Sequence, residues 1–227
     1  MIRDIIAAGE GGAYVRFGTE IDRGTSRTIQ AFASALRALR RPEITDIVPG
    51  YVSLYIEFDV ELVTVSDVQR IVEGITPIDL PWLESEPVIE VSVFYGGEHG
   101  PDLAQVAADC GMSEAEVVDI HSSSDYEVFF LGFTPGFTFM GVVDERIAVP
   151  RLARPRTRVP AGAVGVAGRQ TGVYPVESPG GWRLIGRTPE RMVDLSGAEP
   201  RFLLTPGRRV RFVPRDPGGF AADAGRE

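Results

Sequence analysis

The stretch from Leu131 to Thr188 sets the tightest limit on what this chain can fold into. It and its margins read FLGFTPGFTFMG (130–141), PRTRVPAGAVGVAGRQTGVYP (155–175) and ESPGGWRLIGRTP (177–189). Glycine or proline recurs every few residues, with Phe, Val, Ile, Trp and Tyr between them. Glycine and proline interrupt helices, while β-branched and aromatic residues suit half-buried strands. The pattern predicts short strands joined by tight turns, at 127–133, 137–140, 163–166, 172–175, 182–185 and 208–213.

The first half has a different rhythm. A short strand is predicted at 13–17, and a helix over 25–40 with Ile29, Phe32, Ala33, Leu36 and Leu39 on one face. Strands at 44–48 and 51–58 flank the turn pair Pro49-Gly50, and a second helix over 66–73 takes Ser66 as its N-cap. Closed by a strand near 88–95, this βαββα order matches a ferredoxin-like half. Proline and acid dominate Thr76–Pro87, the predicted linker. A helix over 102–109 follows, then Gly111 as its left-handed end, then a helix over 113–121 opened by a Ser113/Glu116 capping box. The expected organisation is an α+β domain over 1–86, a β domain over 87–216 and a loose tail over 217–227.

Charge is segregated. From Arg146 to Arg211 there are thirteen arginines against four acids, whereas Pro42–Glu127 holds one arginine, Arg70, against nineteen acids. The chain has no lysine. A glycine-lined, arginine-bearing β region on an acidic protein points to a site for a small anion. The net charge of -9 argues against nucleic acid or an acidic membrane surface as partner. Helix, glycine turn and helix suggest a DNA reader, yet Glu114, Glu116 and Asp119 stand where base-reading cations are needed. A pair of helices covering one end of a barrel is the better reading. Two histidines and one cysteine offer no metal cluster, and the single Cys110 suits the reducing cytoplasm. No apolar run is long enough to span a membrane.

Several residues carry candidate chemistry. Gly168-Arg169-Gln170-Thr171-Gly172 offers a guanidinium, an amide, a hydroxyl and a turn able to form a backbone anion nest, or else is a hairpin whose glycines satisfy turn geometry. Without lysine a P-loop is excluded. Thr134-Pro135-Gly136 forms a kink that lets a ligand approach the backbone, or else serves the packing of Phe133, Phe137 and Phe139. Glu177 and Ser178 open a rigid loop ending at Gly180, Gly181 and Trp182, where Ser178 is a weak nucleophile candidate without a G-x-S-x-G context. Trp182 suits the barrel core or rim better than a stacking platform. His121 either relays a proton or caps its helix. Arg158, Arg187 and Tyr174 complete the candidate set.

Taken together, the quoted blocks and YGGEHGPDL (95–103) resemble the family of the B-type subunit of 5-oxoprolinase, also known as allophanate hydrolase subunit 1 or the sporulation kinase-inhibitor family. His99 stands where an aromatic is expected, and Thr138-Phe139-Met140 where Pro-Tyr-Leu is usual. The resemblance implies an α+β N-terminal domain followed by a cyclophilin-like β-barrel. It also implies a companion carboxyltransferase-like subunit, in a heterodimer or heterotetramer, and a third lactam-hydrolysing subunit. ATP with Mg2+ would enter as a substrate complex, activating 5-oxoproline for opening to glutamate. Arg158, Arg169 and Arg187 would then neutralise carboxylate or phosphate, with Gln170, Thr171 and Ser178 donating hydrogen bonds. The alternatives are an allophanate or urea carboxylase-type carboxyltransferase subunit, and a non-catalytic inhibitor of a sensor histidine kinase.

Overall fold

The structure, a computed structural model, describes residues 2–76, 87–216 and 220. The expected linker and tail therefore lie almost wholly outside the described residues. Contacts divide the chain into two units, one ending at Ser85 and the other beginning at Glu86.

In the first unit, β1 (Asp4–Ala7), β2 (Gly12–Arg16), β3 (Ile44–Pro49) and β4 (Ser53–Phe58) form an antiparallel sheet in the order β1-β2-β4-β3. Helices α1 (Arg23–Ala38) and α2 (Val65–Glu73) supply Ile29, Phe32, Leu36, Val68 and Val72 to a core shared with Val15, Leu54 and Ile56. Asp22 caps α1 by accepting from the Thr25 amide. Thr64, not Ser66, caps α2, because Thr64 and Asp67 form the reciprocal capping box two residues earlier. Strand β1 has no counterpart in the sequence reading; its DIIA is too short to show a period.

The strand expected to complete that unit, β5 (Ile89–Tyr95), instead belongs to the second. There β6 (Asp125–Leu131), β7 (Thr138–Gly141), β9 (Ala163–Ala167), β10 (Gln170–Val173), β12 (Arg183–Arg187) and β15 (Arg209–Arg215) join it in a closed seven-stranded barrel. The order is β10-β7-β6-β15-β5-β12-β9. Parallel pairing of β5 with β15 and antiparallel pairing with β12 lock β5 inside the barrel wall, which outweighs its proximity in sequence to the first sheet. The β-rich second half and the α+β class are both present. Outside the barrel lie two ribbons: β8 (Arg156–Val159) with β11 (Ser178–Gly180), and β13 (Val193–Asp194) with β14 (Arg201–Phe202).

Helices α3 (Leu103–Cys110) and α4 (Glu114–Ser122) pack on the barrel through Leu103, Val106, Ala107 and Val117. Gly111 takes the left-handed conformation at φ 67°, and Ser113 and Glu116 form the expected capping box. Asp102 fastens the pair to the barrel: its amide donates to the Leu184 carbonyl at 2.9 Å, and its carboxylate accepts from the Leu184 amide at 2.7 Å.

Candidate functional site

The 168–172 segment splits by strand alternation. Gly168 (φ 56°) and Arg169 make the turn between β9 and β10. Arg169 points outward and pairs with Glu145 at 3.0 Å. Thr171 points into the barrel and is fully buried. Its hydroxyl donates to the Gly165 carbonyl at 3.0 Å, so it must accept from His121 Nε2, 2.9 Å away. That fixes the neutral Nε2–H tautomer, and Nδ1 accepts from the Tyr95 hydroxyl at 2.8 Å. The ring stacks on Phe212, with centroids 4.8 Å apart. Burial lowers the His121 pKa to about 3 and pushes that of Tyr95 well up. The side chain does not cap α4, whose end is served by the Ser123 amide bonding Asp119. His121 and Thr171 thus form a sealed polar rivet, both side chains fully buried.

Tyr174 and Trp182 sit on the outer side of the barrel wall in a second core with Phe137, Val159 and Leu184, under the β8–β11 ribbon. Trp182 meets the ring of Phe137 edge-on at 5.4 Å and is nearly buried, a packing residue rather than a platform. Two candidate glycines are demanded by the same packing. A Cβ on Gly172 would lie 2.3 Å from the Thr138 carbonyl oxygen, and one on Gly180 would lie 2.3 Å from the Tyr174 hydroxyl. Gly181 offers its carbonyl to the Leu152 amide at 2.7 Å. Ser178 is buried, and its Oγ has no partner among the described residues. Glu177 pairs in the open with Arg158 at 2.6 Å. Gln170 leaves Oε1 buried without a partner among the described residues at the Arg169 end of β10.

A third group gathers at the barrel mouth, at the far end of β7 from Arg169. The turn Gly132–Phe137 is closed by Thr134, whose amide donates to the Gly132 carbonyl at 2.8 Å and whose carbonyl accepts from Phe137 at 3.0 Å. Pro135 follows, and Gly136 (φ 83°) lies so close to Val193 and Pro175 that a Cβ would sit 2.9 Å from Val193. Pro175 and Val193 also line a cavity of about 320 Å³ with Ala161, Gly162, Arg187, Thr188, Glu190 and Arg191. The Arg187 Nε donates to the Ala161 carbonyl at 2.8 Å, fixing its guanidinium at the wall. The one acid on that wall, Glu190, is engaged by the Ser92 amide at 2.7 Å. The lining therefore sets two guanidinium groups against one carboxylate, Glu190, which accepts a backbone hydrogen bond.

Of the candidate binding residues, only Arg187 lines this cavity, with Thr134, Pro135 and Gly136 in the turn behind it. Arg191, Thr188 and Phe220 were missed. The arginine excess of the second half was the available signal for Arg191; the others carry none. A larger cavity of about 720 Å³ lies in the first unit between α1 and α2. Its lining is mainly apolar, and its charges answer one another as Arg70–Asp67 and Arg41–Glu43 pairs. The second unit's mouth is the better candidate for an anion, because its lining carries two arginines against one acid. Among the described residues no three His, Cys, Asp or Glu side chains gather as a metal site. No described helix is long and apolar enough to cross a membrane.

Comparison with known proteins places these features. Residues 3–204 match the carboxyltransferase domain family, subdomains C and D. The chain is 44% identical over 190 residues to the B-type 5-oxoprolinase subunit of Escherichia coli O157:H7, covering 81% of this chain and 84% of that one. The crystal structure of TTHA0988 superposes with a TM-score of 0.80 at 40% identity, over 91% of this chain and 41% of that chain, so this chain spans under half of it. Kluyveromyces lactis urea carboxylase shares the fold at 20% identity and a TM-score of 0.76, over 96% of this chain and 22% of that one.

Proposed function

The chain belongs to the carboxyltransferase domain family, subdomains C and D, and from that premise we propose that it is the B-type subunit of an ATP-dependent 5-oxoprolinase. A companion carboxyltransferase-like subunit works with it, and a third subunit completes ring opening to glutamate. The name and identity of the Escherichia coli relative support the substrate. The single observation that carries the reading is the pair Arg187 and Arg191 on one cavity wall, two guanidinium groups against the single carboxylate of Glu190.

A lactam carbonyl is a poor electrophile, and the ring nitrogen a poor leaving group. Transfer of the γ-phosphoryl group of ATP to the lactam oxygen, with ADP leaving, makes the carbon attackable. Water then adds to that carbon, and the C–N bond breaks with the ring nitrogen leaving as a protonated amine to give an acyl phosphate. A second water hydrolyses this to glutamate and phosphate. Each stage concentrates negative charge, which guanidinium groups held at a cavity wall stabilise. Magnesium enters with the triphosphate, since phosphate oxygens and water satisfy most of its coordination. Thr134, Pro135 and Gly136 support the Pro175–Val193 wall in this reading. Arg158, Arg169 and Gln170 lie elsewhere, and in this reading they face the companion subunit or solvent.

The test uses the chain purified with its companion. Arg187→Ala is expected to reduce 5-oxoproline-dependent ATP hydrolysis by about 100-fold while leaving the unfolding temperature unchanged. Full activity in Arg187→Ala, or no ATP hydrolysis by the wild-type pair with 5-oxoproline present, overturns the proposal. A carboxyl-transfer reading draws on the shared fold with urea carboxylase. It needs a separate biotin carrier, because this chain has no lysine. Turnover of urea or allophanate, with none of 5-oxoproline, favours it. Loss of a kinase's autophosphorylation on adding the chain favours the inhibitor reading, to which no feature of the site contributes.

A further inference from the structure

Phe220 is gripped on three sides by an imidazole, a guanidinium and a second phenyl ring. Its ring stacks on the imidazole of His99, with centroids 4.4 Å apart and planes 28° apart. The guanidinium carbon of Arg187 lies 5.0 Å from the ring centroid. Phe94, fully buried, meets it edge-on at 5.2 Å and forms the floor. The ring itself is half-buried and lines the arginine cavity. Imidazole stacking, a guanidinium at the ring and an aromatic floor make a slot whose chemistry selects a flat π system and carries no demand specific to phenylalanine. Stacked rings and arginine planes are how proteins hold bases, and with no lysine for a P-loop this chain would leave the phosphates to arginine.

We propose that the His99–Phe94–Arg187 slot is a nucleobase site and that Phe220 is its intramolecular placeholder. The base of the nucleotide takes the position of the Phe220 ring, and its phosphates extend into the adjoining cavity toward Arg187 and Arg191. His99, which departs from the aromatic expected at that position, then serves as a stacking wall that also carries ring nitrogens. This rests on the proposed use of ATP and adds to it where the base lies and what competes for the place.

The experiment measures binding of Mg-ATP and of tripolyphosphate to the full chain by calorimetry. Phe220→Ala is expected to tighten Mg-ATP binding by about tenfold, the order of one base-stacking contact released from competition, and to leave tripolyphosphate unchanged. Phe220→Tyr is expected to bind like wild type, and His99→Ala added to Phe220→Ala to cancel the gain. Equal Mg-ATP affinity in wild type and Phe220→Ala overturns the proposal, as does an equal gain for tripolyphosphate, which would make Phe220 a plug over the arginines. The two readings separate cleanly. Unchanged nucleotide affinity in Phe220→Ala, with the pair still hydrolysing ATP, defeats the slot alone. A nucleotide-specific gain in a pair that does not turn over 5-oxoproline defeats the reaction alone.

Discussion

The barrel interior and the barrel mouth use polar residues in opposite ways. Inside, His121, Tyr95 and Thr171 complete one another's hydrogen bonds, and burial keeps the imidazole neutral. At the mouth, Arg187 and Arg191 stand beside open volume, with the nearby carboxylate held by a backbone amide. A buried polar group is tolerable only when its partners are fixed. A binding site needs groups that reach open volume, and a guanidinium carries five donors on one plane. Residue type therefore says less about function than how far the fold has already used it.

Breaking the interior should have the largest effect. His121→Ala leaves a ring-sized cavity and strips partners from two buried hydroxyls, and is expected to cost about 4–6 kcal/mol. Chemical unfolding measures this, and a loss below about 1 kcal/mol would mean the rivet carries no stability. Acid probes the same network without mutation. The unfolded imidazole takes up a proton near pH 6.5, which the folded one refuses until about 3. Stability from this group is therefore complete above about pH 6.5 and drains as pH falls toward 3, by about 5 kcal/mol in all. His121→Gln keeps a donor for Thr171 and an acceptor for Tyr95 but cannot take up the proton. Its unfolding free energy should fall less steeply over that window; identical slopes would assign the pH dependence to other groups.

How much of this was legible follows the same division. The capping box at Ser113 and Glu116, the left-handed Gly111 and the hairpin at Pro49-Gly50 are local devices, and all three were readable. Closure of the barrel was readable only as a strand-rich texture, because the partners of β5 are β12 and β15, the latter more than a hundred residues on. The 168–172 block read as one ligand loop because its residue types invite it. A strand alternates its faces, so Arg169 and Thr171 part company once register is set, and register depends on long-range pairing. Arg187 was legible as a charge inside a motif; Arg191 shared the arginine excess but stands just past the 177–189 block.

Gly172 tests which region that block serves. As part of an anion nest it would matter for ligand and little for folding. The close approach of Thr138 and of the Trp182 ring says otherwise. Gly172→Ala forces β10 away from β7 and is expected to cost about 1–3 kcal/mol, with the affinity of the refolded protein for Mg-ATP unchanged. A stable variant that loses the ligand would return Gly172 to the site.

The smallest effect is expected at Arg158, the candidate arginine least held by the fold. Its side chain is 77% exposed, and Glu177 opposite is 50% exposed. A pair so open to water gains little Coulomb energy and gives up side-chain freedom. Arg158→Ala should therefore change stability by no more than about 0.5 kcal/mol, and a double-mutant cycle with Glu177→Ala should return a coupling of the same size. Turnover by the complete pair of subunits decides more. If Arg158→Ala proves as damaging there as Arg187→Ala, the anion is gripped from the outer ribbon as well as from the mouth, and the division between satisfied and open groups must be redrawn to include an ion pair that gives way to substrate.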